Sequence, residues 1–392
     1  LIPIWMLATA GFAAGCGMRV LDPLLPMVAH DLGTTIAGAS GLVAGFALAY
    51  GLGQVVTGPL GDRFGKPRIA CLALFLYAVT LMVSALAGSL GTLVALRAAA
   101  GLASGAIIPL LMAHIGDTVP YAERQATIGR FLTGMVMAQL VAGPVSGVVG
   151  EAAGWQASFL VLGVLALAVG LLMAARLGRT LLWGSGATGG RSLGLSGFVA
   201  LLGHRAGRRL MAAAALDGFL LFGGAFPFLG SFLVQEFGLT AAEAGLAVAG
   251  FGLGSFVYTR IARRLVTRFG EKGLVLIGGF GLAVGLVAVA VAPGWPLVVA
   301  AQVLMGLVFF MFHGVLQARA TEALPEARGT AVAFFAMSLF LGQSLGSLAF
   351  GLAIAAFGFR PGFAIAGVAI VALAIWTRLV LLRMPAVPAA KG

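Results

Sequence analysis

In the stretch MRVLDPLLP, residues 18–26, Arg19 and Asp22 stand three apart inside an otherwise apolar run, and Pro23 and Pro26 lie beside them. Arg97 interrupts a second apolar run. On a helix, i,i+3 spacing puts Arg19 and Asp22 on one face. A charge at the centre of a bilayer costs ~2.5–3.5 kcal/mol on insertion scales, so three such groups persist only when paired or facing water. The proton affinity of a carboxylate changes when a neighbouring arginine moves or a cation arrives. Proton and substrate can then compete for one place, which is the chemistry of antiport. A static ion-pair network that fixes helix packing is the other reading of the same residues. The prolines remove backbone hydrogen bonds and bend the helix, which is tolerable at membrane depth only where protein or water surrounds the freed carbonyls.

A second set lies later in the chain. Asp217 and His313 fall at similar depth in two apolar segments and are placed to face each other. Histidine titrates near neutrality, so the pair either carries a proton or is hydrogen-bonded packing. His114, beside Asp117, reads as structural. Phe219, Phe222, Phe226 and Phe228, with Phe309, Phe310 and Phe312, either line an apolar site or meet lipid and neighbours. Met305, Met311 and His313 invite a metal reading, but the last two are two apart and share no helix face. Cys16 and Cys71 lie in apolar segments and have no metal-type spacing. No Ser/His/Asp grouping and no G-x-x-x-x-G-K-S/T loop occurs. The expectation is therefore a protein that is not an enzyme, holds no metal or cofactor, and draws energy from an ion gradient.

The elements that position these residues follow from composition. The chain of 392 residues is 61% hydrophobic and only 9% charged, with 60 glycines. Soluble domains carry about 25% charged residues, so this surface belongs in lipid. Uncharged stretches at 32–61, 69–96, 131–150, 152–175, 218–235, 273–318 and 329–359 each exceed or approach the ~20 residues a crossing needs. Barrel strands would alternate apolar and polar over short segments, and these do not. The chain opens on Leu1 rather than Met, and its first apolar segment is too long for a signal-peptide core, so that segment is expected to stay in the protein. Twelve helices are predicted, at 3–28, 36–60, 69–88, 91–117, 124–150, 155–176, 207–235, 241–265, 273–292, 296–321, 327–356 and 360–383, numbered helix 1 to helix 12. Residues 1–176 form an amino-terminal six-helix bundle, 177–206 a cytoplasmic linker, 207–384 a second bundle and 385–392 a cytoplasmic tail.

With the amino terminus inside, the cytoplasmic loops and tail hold all 24 basic residues except Arg19, Arg97 and Arg360. The net charge of +12 is thus mostly topology and not a nucleic-acid surface. The halves repeat. An offset of 205 carries Arg63-Phe64-Gly65 onto Arg268-Phe269-Gly270, Gly101 onto Gly306 and Arg97 onto Gln302. An offset of 204 carries Arg124 onto Arg328, Gly147 onto Gly351, Gly154 onto Gly358 and Phe159 onto Phe363. Two like bundles joined by a loop leave a seam between them, where a transporter holds its substrate.

The loop after helix 2 reads GPLGDRFGKPR: Gly58, Leu60, Gly61, Asp62, Arg63, Gly65, Lys66, Arg68. It resembles the signature loop of the major facilitator superfamily, and the loop between helices 8 and 9 is its worn copy, with Thr267 in place of the aspartate. Arg97-x-x-x-Gly101 with Ser104-Gly105 resembles the arginine–glycine motif of that family's drug:proton antiporters. AGPVSG in helix 5, with Gly143, Pro144 and Gly147, resembles their antiporter motif, a bend; Gln139 and Val148 stand where glycines are usual. The resemblance implies a latch in which Asp62 sits at the amino end of helix 11 near Ala327, while Arg63, Lys66 and Arg68 reach acids, Asp117 first. It implies an all-α membrane protein of two pseudo-symmetric six-helix bundles. The function expected is a proton-coupled exporter of small, partly apolar organic compounds, working as a monomer in a bacterial inner membrane with both termini cytoplasmic. An importer of a sugar, organic acid or other metabolite is the alternative, with Arg19 and Arg97 binding an anionic substrate.

Overall fold

The computed structural model describes residues 2–178, 199, 201–323 and 328–381. Among these residues the chain is helical throughout, with turns between helices and no strand. Ten helices are long and apolar enough to cross a membrane. One of them, Ala241–Ala290, has 50 residues, about 75 Å at 1.5 Å per residue and over twice a bilayer core of about 30 Å. Gly270 interrupts it with φ 60° and ψ 176°, so it makes two crossings, helices 8 and 9. The first segment adds another crossing that is too broken to count as one long helix. Counted with these two allowances, the ten spans of the described residues agree with the expected twelve crossings.

Helix 1 is not the single helix expected over 3–28. It runs Ile4–Arg19 and resumes as Leu25–Asp31. Pro23 has no N–H to continue the ladder, and Asp22 N and Leu24 N instead bond back three residues, to Arg19 O and Leu21 O, both at 3.0 Å. Arg19 therefore ends one helix, and Asp22 lies in the turn that follows.

Helix 2, Ile36–Phe64, starts on a Thr35 cap and runs through Gly58, Pro59 and Gly61. The gap expected between residues 60 and 69 shrinks to one residue, Gly65, at φ 96°. Helix 3 is Lys66–Ser84, helix 4 Leu90–Thr118, helix 5 Tyr121–Ala153 and helix 6 Trp155–Leu177. Helix 7 begins as an α-helix over Arg205–Asp217, loosens to a π-helix over Gly218–Ala225, tightens to a 3₁₀ turn at Phe226–Phe228 and returns to α over Leu229–Phe237. Helix 8 breaks once at Ala249, between Ala241–Val248 and Gly250. Helix 10 is Trp295–Glu322, helix 11 Arg328–Phe357, and helix 12 Phe359–Trp376 ends in a π turn over Thr377–Leu381. Most of the expected linker, Ala327 and the expected tail at 385–392 lie outside the described residues.

The duplication is legible in the backbone. Gly65 and its counterpart Gly270 both have positive φ, as do Gly154 and Gly358 at 82° and 81°. At Gly101 any side chain would run into the Phe46 carbonyl, and at Gly306 into that of Phe251, the residue 205 positions later. The contacts between the halves gather at the end carrying the turns at 33–35, 154, 238–240 and 358. Helix 5 packs on helix 8, helix 2 on helix 11 and helix 1 on helix 7: Gly143 faces Gly245, Ser347 Oγ donates to Ser40 O at 3.0 Å, and Gly230 packs on the Asp22 carbonyl. Glu151 at the end of helix 5 accepts from Ala242 N at the start of helix 8, at 3.1 Å.

Candidate functional site

The broken helix 1 delivers its charged pair to a cleft between the bundles. Arg19 Nη1 donates to Asp22 Oδ2 at 3.1 Å, and Arg19 Nε donates to Gln139 Oε1 of helix 5 at 2.6 Å. The guanidinium carbon also stands 5.8 Å and 5.5 Å from the ring centres of Phe226 and Phe251, across the seam in helices 7 and 8, within the range of cation–π attraction. Gly143, Leu229, Val248 and Gln302 complete the lining. In this conformation the side chains close in on one another and leave space for about one water molecule between them. Both halves build the cleft, as the seam argument requires. With Asp22 ionised, its two charges cancel; protonating Asp22 leaves Arg19 alone and the cleft at +1.

Arg97 is the exception to the expected cluster. It is 2% exposed, donates from Nη2 to Gly17 O at 3.1 Å, and lies 4.2 Å over the Phe46 ring. It does not line the cleft and makes no direct ion pair with Asp22, although the two charges lie near enough to act on each other. The reason is local. Gly101, one turn further along the same face, seats helix 4 on the helix 2 backbone at Phe46, which aims that face into the amino-terminal bundle rather than the seam. In the other half the equivalent position is Gln302, and it does reach the cleft.

Asp217 and His313 do meet. His313 Nδ1 and Asp217 Oδ2 are 2.6 Å apart, with Asp217 fully buried and its Oδ1 without a hydrogen-bond partner. Of the aromatic residues, Phe222, Phe226 and Phe309 gather between this pair and the cleft. Phe228 instead stacks on Phe350, and Phe312 packs against Gly278, so these two serve the bundle and not a pocket.

At the opposite end from the closed seam, Lys66 Nζ pairs with Asp117 Oδ2 at 2.5 Å and with Asp62 Oδ1 at 3.5 Å. Both partners belong to the amino half. Asp62 and Arg63 lie in the last turn of helix 2, because that helix continues to Phe64, and Arg63 lays its guanidinium 5.0 Å from the Phe64 ring. Among the described residues Arg63 makes no ion pair, while Lys66 reaches Asp117 as expected. Arg68 stands in the first turn of helix 3. Adding 205 to Lys66 gives Glu271, which accepts two bonds from Arg319 of helix 10, at 2.6 Å and 2.9 Å. The second half thus also ties the start of helix 9 to helix 10, but one turn away: the counterpart of Asp117 is Glu322, and that of Arg319 is His114.

Pro144 lies inside the unbroken helix 5, flanked by Gly143 and Gly147. These glycines admit helix 8: a side chain at Gly143 would press on Gly245 O at 3.1 Å, and one at Gly147 would strike the Ala241 carbonyl. The antiporter-like segment is thus half of the seam beside the cleft. Sequence reasoning missed Gln139, Gln302 and Phe251 as cleft residues. The two glutamines, uncharged polar groups in apolar helices, were the available signal.

Two six-helix bundles of common descent, closing on a charged cleft at membrane depth, define a solute transporter rather than an enzyme. A family model described as Major Facilitator Superfamily matches residues 7–226 and 210–392, and the chain belongs to that superfamily. It is 29% identical over 356 residues to a chloramphenicol resistance protein of Streptomyces lividans, covering 88% of each chain. It is 24% identical over 351 residues to an uncharacterised transporter of the same type from Bacillus subtilis (strain 168), covering 88% of this chain and 87% of the other. Among solved structures, a D-xylose–proton symporter superposes with a TM-score of 0.78 at 19% identity, covering 98% of this chain and 97% of that one; this likeness is one of fold.

Proposed function

We propose that the protein is a proton-coupled exporter of small, partly apolar organic compounds, working by alternating access as a monomer in a bacterial cytoplasmic membrane with both termini inside. Residues 1–176 and 207–384 are the two rocking units, 177–206 the linker and 385–392 the tail. The observation that carries the reading is the Arg19–Asp22 pair held in a cleft built by both halves. A proton on Asp22 releases Arg19 and leaves the cleft cationic. An uncharged compound, resting on Phe226 and Phe251 and hydrogen-bonded by Gln139 and Gln302, favours the ionised, charge-balanced cleft. Proton and compound thus exclude each other, which is what exchange requires. Arg97 acts behind the site by fixing helices 1, 2 and 4. Asp217 and His313 belong to the same proton machinery, and Gly58, Asp62, Arg63, Gly65, Lys66, Arg68 and Asp117 to the latch. The name of the Streptomyces lividans relative supports export of such compounds.

Inside-out vesicles or proteoliposomes with an imposed pH gradient test this, with chloramphenicol as the probe. The expected result is accumulation driven by inward acidity, with probe affinity rising as pH rises and that slope absent in Asp22→Asn. Accumulation driven by the opposite gradient would establish the importer instead. Undiminished exchange in Asp22→Asn would remove Asp22 from the coupling.

A further inference from the structure

The buried pair in the carboxyl half stands apart from the cleft, yet it is connected to it twice. Asp217 is the last residue of the first α-helical segment of helix 7, and the π-helix Gly218–Ala225 begins directly after it. Short π segments mark places where a helix is held out of register at functional sites. At the far end of this segment stands Phe226, the ring beneath Arg19. The second connection runs through His313, which stacks on Phe309 with ring centres 4.9 Å apart and planes at 16°. Phe309 touches both Phe226 and Phe251, at 5.9 Å and 5.5 Å. The pair is also chemically unfinished, since Asp217 Oδ1 is buried with no partner.

We infer that Asp217 and His313 form a second proton-binding site, separate from Arg19 and Asp22, whose protonation is transmitted to the cleft through the π segment and Phe309. One proton shared between a carboxylate and an imidazole leaves the pair neutral. Adding another puts it on the open Oδ1 or the ring and makes the buried site cationic; removing the shared one leaves it anionic. Either change is costly in an apolar bundle, so it must be relieved by movement of the elements that hold the pair. Few other charges compete. The described side chains of helix 11 are uncharged. Helix 12 carries Arg360, tied to Glu236, and the exposed Arg378. Helix 10 carries Arg319, tied to Glu271, and Glu322. Helix 7 carries Arg205, Arg208 and Arg209, at least two turns below Asp217. Helices 8 and 9 carry Glu243, Arg260, Arg263, Arg264, Arg268 and Lys272 toward their ends, and Tyr258, which stacks on Phe310. The role in transport rests on the proton-coupled reading above; the proton chemistry does not.

The test uses purified full-length protein without substrate, so it can fail while export stands, and the reverse. Phe226→Trp serves as the reporter in an Asp22→Asn background, with the same protein lacking the reporter subtracted. A step from about pH 8 to about pH 5, spanning the histidine range, is expected to change the Trp emission. Adding Asp217→Asn and His313→Gln together is expected to abolish that change. Where this combination unfolds, Asp217→Asn alone is used, and the midpoint of the pH curve is expected to move by about one pH unit or more, a tenfold change in proton affinity. A reporter that does not respond to pH in the Asp22→Asn background overturns the proposal. So does a response that the added substitutions leave in place, or a midpoint that Asp217→Asn does not move.

Discussion

Valine at position 245 should open the closed end of the molecule. Gly245 faces Gly143 across the helix 5–8 seam, and a Cβ there would enter the Gly143 carbonyl group and stand 3.2 Å from Pro144 Cα. These are backbone atoms inside helix 5 and cannot swing aside. Overpacking of this kind costs about 1–3 kcal/mol, and the cost applies only while the seam is shut. The equilibrium between shut and open should therefore move roughly 5–150-fold toward open. If the halves rock as units, the helix 2–11 seam must open with it, although no atom there has been changed. Ser347 reports that seam: it is fully buried, and its hydroxyl donates to Ser40 O. Ser347→Cys, nearly isosteric, should react slowly with a maleimide in the parent protein and faster, within that range, when Gly245→Val is added. Background is low because Cys16 and Cys71 are 7% and 0% exposed. An unchanged labelling rate in a protein of normal thermal stability would refute the rigid-body argument.

Other expectations follow from single contacts. Glu151→Gln exchanges a charged acceptor at Ala242 N, the start of helix 8, for a neutral one and should favour the open seam by about 0.3–1 kcal/mol, read by the same labelling assay. Lys66→Ala and Asp117→Ala, made singly and together, should show a coupling of about 0.2–1 kcal/mol in a thermal-unfolding cycle, since Asp117 is half exposed. Arg97→Lys should lower the unfolding temperature while leaving the pH slope of probe binding intact, because the planar head over Phe46 is lost but the cleft is untouched; a lost slope would place Arg97 in the coupling.

Composition alone dictated a membrane bundle, and the constant offset between halves anticipated the paired left-handed glycines at 65 and 270 and at 154 and 358. The i,i+3 spacing foretold the Arg19–Asp22 pair. What escaped was facing. In lipid the outer surface of a helix is as apolar as its buried one, so periodicity does not say which way Arg97 or Gln302 points; the glycine at 101 does, once its neighbour is known. Boundaries failed where glycine and proline were read as turns. Helix 2, predicted to stop at residue 60, carries Gly61 within it, and Gly65 ends it with a positive φ. In helix 1, Pro23 broke the ladder outright instead of bending it. Asp217 and His313 could be matched in depth from the helix ends, but nothing in the sequence foretold the π segment beside them.

The main chain of Asp22 packs so close to Gly230 that any side chain there would strike its carbonyl, so the residue that carries the carboxylate is also a bearing surface between the two halves. If the halves part at that end, as the proposed alternating access requires, the main chain of Asp22 loses that support. Its side chain cannot keep its present partners unless the whole turn travels with one half. Gate and charge are therefore geared together at a single residue, and neither can turn freely while the other stands still.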